Sequence, residues 1–119
     1  MNQVLLVALG GAMGSVARYG MGLAAARWFG IGFPWGTLLV NVAGGLAMGV
    51  LAARLGPAGE QQRLLLGVGM LGGFTTFSAF SLETLDLMEQ SHGLAALYVA
   101  ASLIFGVGAC WLGLTLGRT

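Results

Sequence analysis

Four long apolar segments constrain the fold of this chain more than any other feature of its sequence. They cover about residues 4–27, 36–54, 64–88 and 94–117 of the 119. A helix needs about 20 residues to cross the hydrocarbon core of a bilayer, and each segment is close to that length. Charged residues make up 8% of the chain, against roughly 25% in soluble domains. The sequence therefore predicts an all-α integral membrane protein, with residues 1–119 forming a single four-helix membrane domain.

The few charged residues and the single cysteine exclude several functional classes. The five basic residues are all arginines and form no run, so nothing indicates a nucleic-acid partner. Cys110 lies in the fourth segment without His or carboxylate neighbours and can form neither an intrachain disulfide nor a metal site. No group of residues resembles a catalytic triad or an acid–base pair, and we do not expect an enzyme. Because the first basic residue is Arg18, the amino terminus lacks the positive region of a signal peptide, and the first segment is expected to be retained.

Basic residues between the segments are too sparse to define the orientation of the chain in a membrane. Four spans place Arg54, Arg63 and Arg118 on one side and Arg27 on the other. The positive-inside rule then predicts a cytoplasmic amino terminus, although so small a difference leaves insertion in both orientations open. A four-helix protomer of this size encloses little space, so a transport pathway is expected to need at least two copies.

The third segment contains features that a plain membrane helix avoids. Residues 67–83 read GVGMLGGFTTFSAFSLE, in which four glycines precede interleaved hydroxyl and aromatic residues: Phe74, Thr75, Thr76, Phe77, Ser78, Phe80 and Ser81, with Glu83 at the end. Each glycine weakens a helix by about 1 kcal/mol relative to alanine. Irregular backbone in a bilayer is tolerated only under protein or a water-filled cavity, and polar groups at that depth are usually functional. The segment therefore predicts a helix broken near residues 72–76 that handles a small polar solute or ion. The alternative is an unbroken helix whose hydroxyls bond back to its own carbonyls and whose glycines allow close packing.

The first two segments each carry a polar side chain at membrane depth. Arg18 lies well inside a helix that runs to about residue 27, and would then face a cavity, a vestibule or a partner. If that helix ends early, the guanidinium reaches the headgroups instead. Asn41 lies one turn after Thr37 on the same face of the second helix. Its two N–H donors suit an anion or a carbonyl, and the alternative is an ordinary hydrogen bond between helices.

Aromatic and hydroxyl residues in the last two segments could extend this polar region. Phe77 and Phe80 are three residues apart and share one helix face. The positive edges of their rings could contact a desolvated anion, although aromatic pairs at this spacing are also common in helix cores. Tyr98 and Ser102 lie one turn apart on the fourth helix. They could continue a polar track, or serve as an interfacial tyrosine and a packing serine.

Two pairs of glycines have the G-x-x-x-G spacing of closely packed membrane helices. They are Gly10 with Gly14 in the first segment and Gly45 with Gly49 in the second. Without a Cβ atom, such positions let the backbones of two helices approach each other closely. We therefore expect both pairs to lie at helix contacts.

Three stretches of the sequence form a specific combination: GGAMGSVARY in the first segment, PWGTLLVNVAGG in the second and GGFTTFSAFSLE in the third. Together, and over essentially the whole chain, they resemble the Fluc/CrcB family of small dual-topology fluoride channels. That family has a glycine-rich stretch ending in Arg-Tyr, a second-helix signature around an asparagine, and a third-helix break followed by two pore phenylalanines. One position departs from the pattern, because the family commonly has Thr between the two phenylalanines and this chain has Ala79. One hydroxyl of the polar track is therefore absent.

The resemblance implies an antiparallel homodimer in the cell (inner or plasma) membrane. Its two pores would pass fluoride passively down its gradient and so export it, which makes fluoride, a second copy and the lipid bilayer the partners. In this comparison Asn41 is a pore-lining donor, and Phe77 and Phe80 form the aromatic box that meets the ion. The rest of the pore would comprise Thr37, Thr76, Ser78, Tyr98 and Ser102, with Glu83 near one pore end and Arg18 in the vestibule region.

The resemblance further implies a structural Na⁺ at the dimer centre. The backbone carbonyls of Gly72 and Thr75 would bind it. This role agrees with the residue-level interpretation, since a broken helix leaves carbonyls without partners and a cation can satisfy them.

Two other functions fit parts of the sequence. A small four-helix drug-efflux transporter would need a membrane-embedded glutamate in its first helix, and this chain has no Asp or Glu before Glu60. The same absence argues against coupling to protons. A non-transporting assembly subunit would account for the glycines. It gives no reason for Asn41, Phe77, Phe80 and the hydroxyls to occur together.

Overall fold

The computed structural model describes residues 2–119, which form four long helices. They are α1 (Gln3–Phe29), α2 (Trp35–Arg54), α3 (Glu60–Gln90) and α4 (His92–Gly117). Each is long and apolar enough to cross a membrane, and no strand occurs within the described residues. The expectation of an all-helical chain with four apolar spans is therefore confirmed.

Helix ends are set by side chains and backbone conformations that the sequence encodes locally. The side chain of Asn2 accepts a hydrogen bond from the Val4 amide at 2.7 Å and so caps α1. Ser91 caps α4 in the same way, with its hydroxyl 3.2 Å from the Leu94 amide. Gly30 ends α1 with a φ of 81°, in the left-handed region that favours glycine.

The third helix changes character along its length. In order it comprises Glu60–Gln62, a wide π-helical stretch Arg63–Leu71, then Gly72–Phe74, a non-helical stretch 75–77, and Ser78–Gln90. We call residues 60–74 the first half of α3, residues 75–77 the break, and Ser78–Gln90 the second half. The break overlaps the interval 72–76 expected from the sequence, but Gly72 and Gly73 belong to the helix before it.

Glycines bring α1 into backbone contact with the first half of α3. A Cβ atom on Gly10 would collide with the Leu65 carbonyl oxygen, and one on Gly14 with the Met70 carbonyl oxygen. A Cβ on Gly73 would lie 2.7 Å from a backbone oxygen of α1. This packing holds the end of the first half of α3 rigidly against α1.

A second glycine contact joins α2 to α4. A Cβ atom on Gly45 would lie 2.8 Å from the Gly106 carbonyl oxygen, and one on Gly49 would collide with the Cys110 carbonyl oxygen. Both G-x-x-x-G pairs therefore lie at helix contacts, as their spacing predicts.

The buried core is small and lies among α2, the second half of α3 and α4. Its main cluster consists of Leu38, Leu87, Ala95 and Tyr98, with Phe33 and Phe80 packed against it. Leu6, Ala25 and Val40 are also buried. Most other large apolar side chains are exposed on the outside of the helices. Such an exterior suits contact with lipid rather than water.

Candidate functional site

A side chain of α2 holds the break in α3. Asn41 Oδ1 accepts a hydrogen bond from the Thr76 amide at 2.8 Å, and Asn41 Nδ2 donates to the Thr76 carbonyl at 3.0 Å. In a continuous helix the Thr76 amide would bond instead to the carbonyl of Gly72, four residues earlier. Asn41 therefore replaces part of the helical hydrogen bonding. Because an asparagine amide has two N–H donors, one remains beyond this pairing with Thr76.

The hydroxyl of Thr76 starts the second half of α3. Thr76 Oγ1 accepts a hydrogen bond from the Ala79 amide at 3.1 Å and lies 3.4 Å from Ser78 Oγ. In a continuous helix the Ala79 amide would bond to the Thr75 carbonyl. Thr76 thus acts as the N-terminal cap of a new helix, which is a common role for threonine.

Two other hydroxyls near the break bond back to carbonyls of α3. Thr75 Oγ1 donates to the Leu71 carbonyl at 2.9 Å, and Ser81 Oγ donates to the Phe77 carbonyl at 2.9 Å. This is the behaviour that the unbroken-helix alternative assigned to all four hydroxyls. It holds for these two only, so the polar groups specific to the break are those of Thr76 and Ser78.

A cavity of about 390 Å³ lies beside the break. We call it the Phe cavity, and its lining residues are Asn41, Gly72, Thr75, Thr76, Phe77, Phe80, Ser102 and Leu103. The ring centroids of Phe77 and Phe80 are 5.7 Å apart and the rings are inclined by 48°. Phe77 is 78% exposed, so the cavity opens at the surface of the chain. The structure thus brings together seven of the residues singled out from the sequence.

A second cavity, of about 250 Å³, lies between α1, α2 and the break. We call it the Arg18 cavity, and its lining residues are Arg18, Tyr19, Gly22, Leu23, Gly36, Thr37, Val40, Thr76 and Ala79. Arg18 Nε donates to the Gly73 carbonyl at 3.0 Å, so its half-buried guanidinium bonds to protein. Thr76 lines both cavities, and the break therefore separates them. Ala79, where the resembling family commonly has Thr, lines this second cavity and not the Phe cavity.

Tyr98 links the second half of α3 to the loop between α1 and α2. Its side chain is fully buried, and its hydroxyl donates to Glu83 Oε1 at 3.3 Å. Its ring centroid lies 5.2 Å from that of Phe80 and 5.4 Å from that of Phe33, which it meets edge-on. Phe33 was not predicted from the sequence, where its only signal is an aromatic residue beside Pro34 in the loop.

The remaining residues singled out from the sequence lie around the Phe cavity rather than in its wall. Tyr98 contacts Phe80 and Glu83, and Glu83 lines a separate cavity of about 200 Å³ near the loop between α1 and α2. Arg18 and Thr37 lie in the Arg18 cavity. Ser78 is exposed. The described residues of the chain therefore do not form one continuous polar track.

Replacing Ser102 tests, through stability alone, whether its hydroxyl lacks a hydrogen-bond partner in the wall of the Phe cavity. Its Oγ is buried in the cavity wall without a hydrogen-bond partner among residues 2–119. An unsatisfied buried hydroxyl costs about 1–3 kcal/mol of stability. Replacing Ser102 with Ala is therefore expected to leave the thermal unfolding temperature in detergent unchanged or to raise it. The matched control is Ser91→Ala, which removes the α4 cap and is expected to cost about 1 kcal/mol. Equal losses in the two variants would contradict the assignment of Ser102 as an unsatisfied group.

The break also leaves oxygen acceptors without the amides that a continuous helix would supply. Within residues 2–119 no group of three or more His, Cys, Asp or Glu side chains could hold a metal ion. The carbonyls of Gly72 and Thr75 lose the amides of Thr76 and Ala79, which bond to Asn41 and to the Thr76 hydroxyl instead. The acceptors that the break leaves open are therefore backbone oxygens, and oxygen ligands of this kind suit a hard cation.

Fold and site together define a small four-span membrane protein in which a helix break carries polar groups into an apolar bundle. The chain matches the family described as CrcB-like protein, Camphor Resistance (CrcB), over residues 5–114. It belongs to this family, and the resemblance found in its sequence is confirmed.

Several relatives of known name cover nearly the whole chain, and each is called fluoride-specific ion channel FluC. The relative from Caulobacter sp. (strain K31) is 53% identical, with 99% of this chain and 96% of the relative covered. The one from Hyphomonas neptunium is 50% identical, with 99% and 97% covered. The one from Rhodospirillum centenum is 49% identical, with 100% and 98% covered. The family and these names indicate an ion channel and not an enzyme.

Proposed function

We propose that this chain forms a passive, fluoride-selective ion channel that exports fluoride from the cytoplasm across the cell (inner or plasma) membrane. The observation that carries the proposal is the Phe cavity, where two phenylalanine rings, the Asn41 amide and the buried Ser102 hydroxyl meet beside a helix break. The relatives named fluoride-specific ion channel FluC support the identity of the ion.

The chemistry of the Phe cavity suits a small, strongly hydrated anion. A pore must replace the water around such an ion with donors, yet bind it weakly enough to release it. Amide and hydroxyl groups and the positive edges of aromatic rings meet both needs, because none carries a full positive charge. The eight described residues that line the Phe cavity are all uncharged. Arg18 lies in the other cavity, where its charge attracts anions without trapping them at the rings.

An antiparallel homodimer would complete this site. Phe77 is 78% exposed, and Gly72 and Ser78 are exposed beside it. Polar groups and irregular backbone at bilayer depth need a protein cover, and a second copy with the same exposed face supplies one. The small charge difference between the two ends of the bundle favours insertion in both orientations. Light scattering from the detergent-solubilised protein is expected to give two chains per particle, and a monomer would contradict a shared pore.

A structural Na⁺ at the centre of the dimer fits the acceptors that the break leaves. The carbonyls of Gly72 and Thr75 are the two that lose helical partners to Asn41 and Thr76. When bound, the ion would supply positive charge that neutralises these oxygens in both copies. Asn41 and the Thr76 hydroxyl bond to the amides at the break, and so the two carbonyls stay available to the ion.

Fluoride efflux from proteoliposomes tests the proposed function directly. Vesicles loaded with fluoride are followed with a fluoride electrode, and chloride-loaded vesicles followed with a chloride electrode serve as the control. A passive, electrogenic channel requires a counter-current, so fluoride efflux should begin only when valinomycin is added in a potassium gradient. Chloride should stay inside. Correctly assembled protein that releases no fluoride would refute the proposal and leave a non-transporting subunit as the better description.

Phe77 is the residue whose replacement should separate transport from folding. Phe77→Ile keeps a large apolar side chain at a position that packs little within its own chain, where Phe77 is 78% exposed, so the unfolding temperature is expected to change little. Loss of the ring edge should lower fluoride efflux at least about 10-fold, which corresponds to 1.4 kcal/mol. The matched control is Phe105→Ile on α4, which is also exposed and lines neither cavity. Equal efflux from both variants would exclude an aromatic contact with the ion.

A further inference from the structure

Among residues 2–119, Arg18 makes the only side-chain hydrogen bond from α1 to a backbone carbonyl next to the break. Arg18 Nε lies 3.0 Å from the Gly73 carbonyl oxygen. In a continuous helix the amide of Phe77 would bond to that oxygen, but Phe77 lies in the break. A charged donor from a neighbouring helix thus supplies a bond that α3 itself no longer makes.

The position of Arg18 also matches the electrostatics of a helix end. The first half of α3 ends at residue 74, and its last carbonyls carry the negative end of the helix dipole. Arginine side chains commonly bond to such carbonyls and stabilise the end of a helix. Gly10 and Gly14 hold α1 against this part of α3. Arg18 follows Gly14 by one helical turn, so its side chain is close enough to reach the Gly73 carbonyl.

Three backbone acceptors beside the break therefore fall into two groups. The Gly73 carbonyl bonds to Arg18. The carbonyls of Gly72 and Thr75 lose their helical amides and gain no side-chain donor among residues 2–119. A cation would need these two oxygens, and Arg18 occupies a carbonyl oxygen that lies between them in sequence, that of Gly73.

We propose that Arg18 is a positioning residue that caps the first half of α3 within the membrane and so keeps the carbonyls of Gly72 and Thr75 available to a cation. The part that concerns the cation rests on the proposed function. This role differs from attraction of anions by the Arg18 charge, because it depends on a hydrogen bond at one atom. Attraction of anions requires a positive charge on the side chain, whereas the capping role requires a hydrogen-bond donor at the Gly73 carbonyl.

Three substitutions separate the hydrogen bond from the charge. Gln places Nε2 the same number of bonds from Cα as Arg Nε, so Arg18→Gln keeps a donor for Gly73 and removes the charge. Arg18→Met has a side chain of the same length as Gln, but it has neither a hydrogen-bond donor nor a charge. Arg18→Lys keeps both a charge and a donor, with its nitrogen one bond further from Cα than Arg Nε. The control is Arg27→Gln, an exposed arginine in the last turn of the same helix.

The readout is the thermal unfolding temperature of the purified, full-length protein over a range of Na⁺ concentrations, with N-methylglucamine keeping the ionic strength constant. The wild type and Arg18→Gln are expected to share the same Na⁺ midpoint within about 3-fold. Arg18→Met should unfold at a temperature lower by about 5 °C and need about 10-fold more Na⁺. Arg18→Lys and Arg27→Gln should resemble the wild type.

Each contrary result has its own meaning. Equal losses in Arg18→Gln and Arg18→Met would show that charge and not the hydrogen bond matters, and would overturn the proposal. An Arg18→Met protein that unfolds like the wild type would overturn it as well. A wild type that is insensitive to Na⁺ would overturn the part that concerns the cation. A failure of the proposed function is a different observation, namely no fluoride efflux from wild-type protein.

Discussion

Replacing Asn41 with Leu is expected to reduce fluoride efflux about 100-fold or more while the protein still assembles. Asn41 makes two hydrogen bonds to the Thr76 backbone, at 2.8 and 3.0 Å. Leu has a similar size but satisfies neither the amide nor the carbonyl of Thr76. Each bond contributes about 0.5–1.5 kcal/mol, and a combined loss near 2.8 kcal/mol corresponds to about 100-fold in the equilibrium constant for forming the break. The donor available to the ion is lost as well.

The measurement is the same fluoride efflux assay, with gel filtration to show that assembly is retained. Asn41→Asp is a second informative variant, because it keeps an acceptor for the Thr76 amide but loses the donor and brings a negative charge toward the anion path. Both variants should fail to transport. Met48→Leu, an exposed and nearly volume-conserving change on the same helix, is the control. Efflux at the wild-type rate from Asn41→Leu would remove Asn41 from the site.

Replacing Gly14 with Ala should damage the fold itself. The new Cβ would collide with the Met70 carbonyl oxygen and lie 2.8 Å from the Phe74 amide nitrogen. Both atoms belong to the backbone, so no side-chain rotation can relieve the clash, and α1 must move away from α3. Overpacking of this kind costs about 1–3 kcal/mol and sometimes more. We expect a fall of at least about 5 °C in the unfolding temperature, or failure to isolate folded protein.

Gly20→Ala is the matched control for this steric argument. Gly20 lies on the same helix, and a Cβ there would meet nothing within 4 Å in the protomer. Alanine favours a helix over glycine by about 1 kcal/mol, so this variant should be as stable as the wild type or more stable. Thermal unfolding of both variants gives the comparison. If Gly14→Ala and Gly20→Ala were equally stable, close packing of α1 on α3 would not be required.

Taken together, Asn41→Leu and Gly14→Ala separate a channel from an assembly subunit. A channel loses transport in the first variant while it keeps its assembly, and it loses both in the second. A subunit held together by glycine packing would tolerate the change at Asn41 and would be damaged only at the glycine face.

Hydropathy and residue spacing were enough to predict several features of the fold. The four apolar spans follow from composition over about 20 residues, a property of the chain that does not depend on its partners. The close contacts at Gly14 and Gly49 follow from glycine spacing, because backbone approach requires the absence of a Cβ atom in any arrangement of two helices. An irregular third helix followed from the coincidence of glycines, hydroxyls and aromatic residues within one span. The pore residues that line the Phe cavity were predicted from the family resemblance, which pointed to the same positions as the pattern of polar and aromatic residues.

Other features depended on which helices lie side by side, and spacing along the chain contains no such information. The break starts at residue 75 and not at Gly72, because Asn41 and the Thr76 hydroxyl supply hydrogen bonds only there. Asn41 lies 35 residues from Thr76, and Arg18 lies 55 residues from Gly73. In a membrane, a helix can end only where neighbouring groups satisfy its amides and carbonyls. The sequence by itself therefore determined that the third helix would be irregular, and only the tertiary structure decided where it breaks, since packing alone brings the donors and acceptors of α1 and α2 to that point.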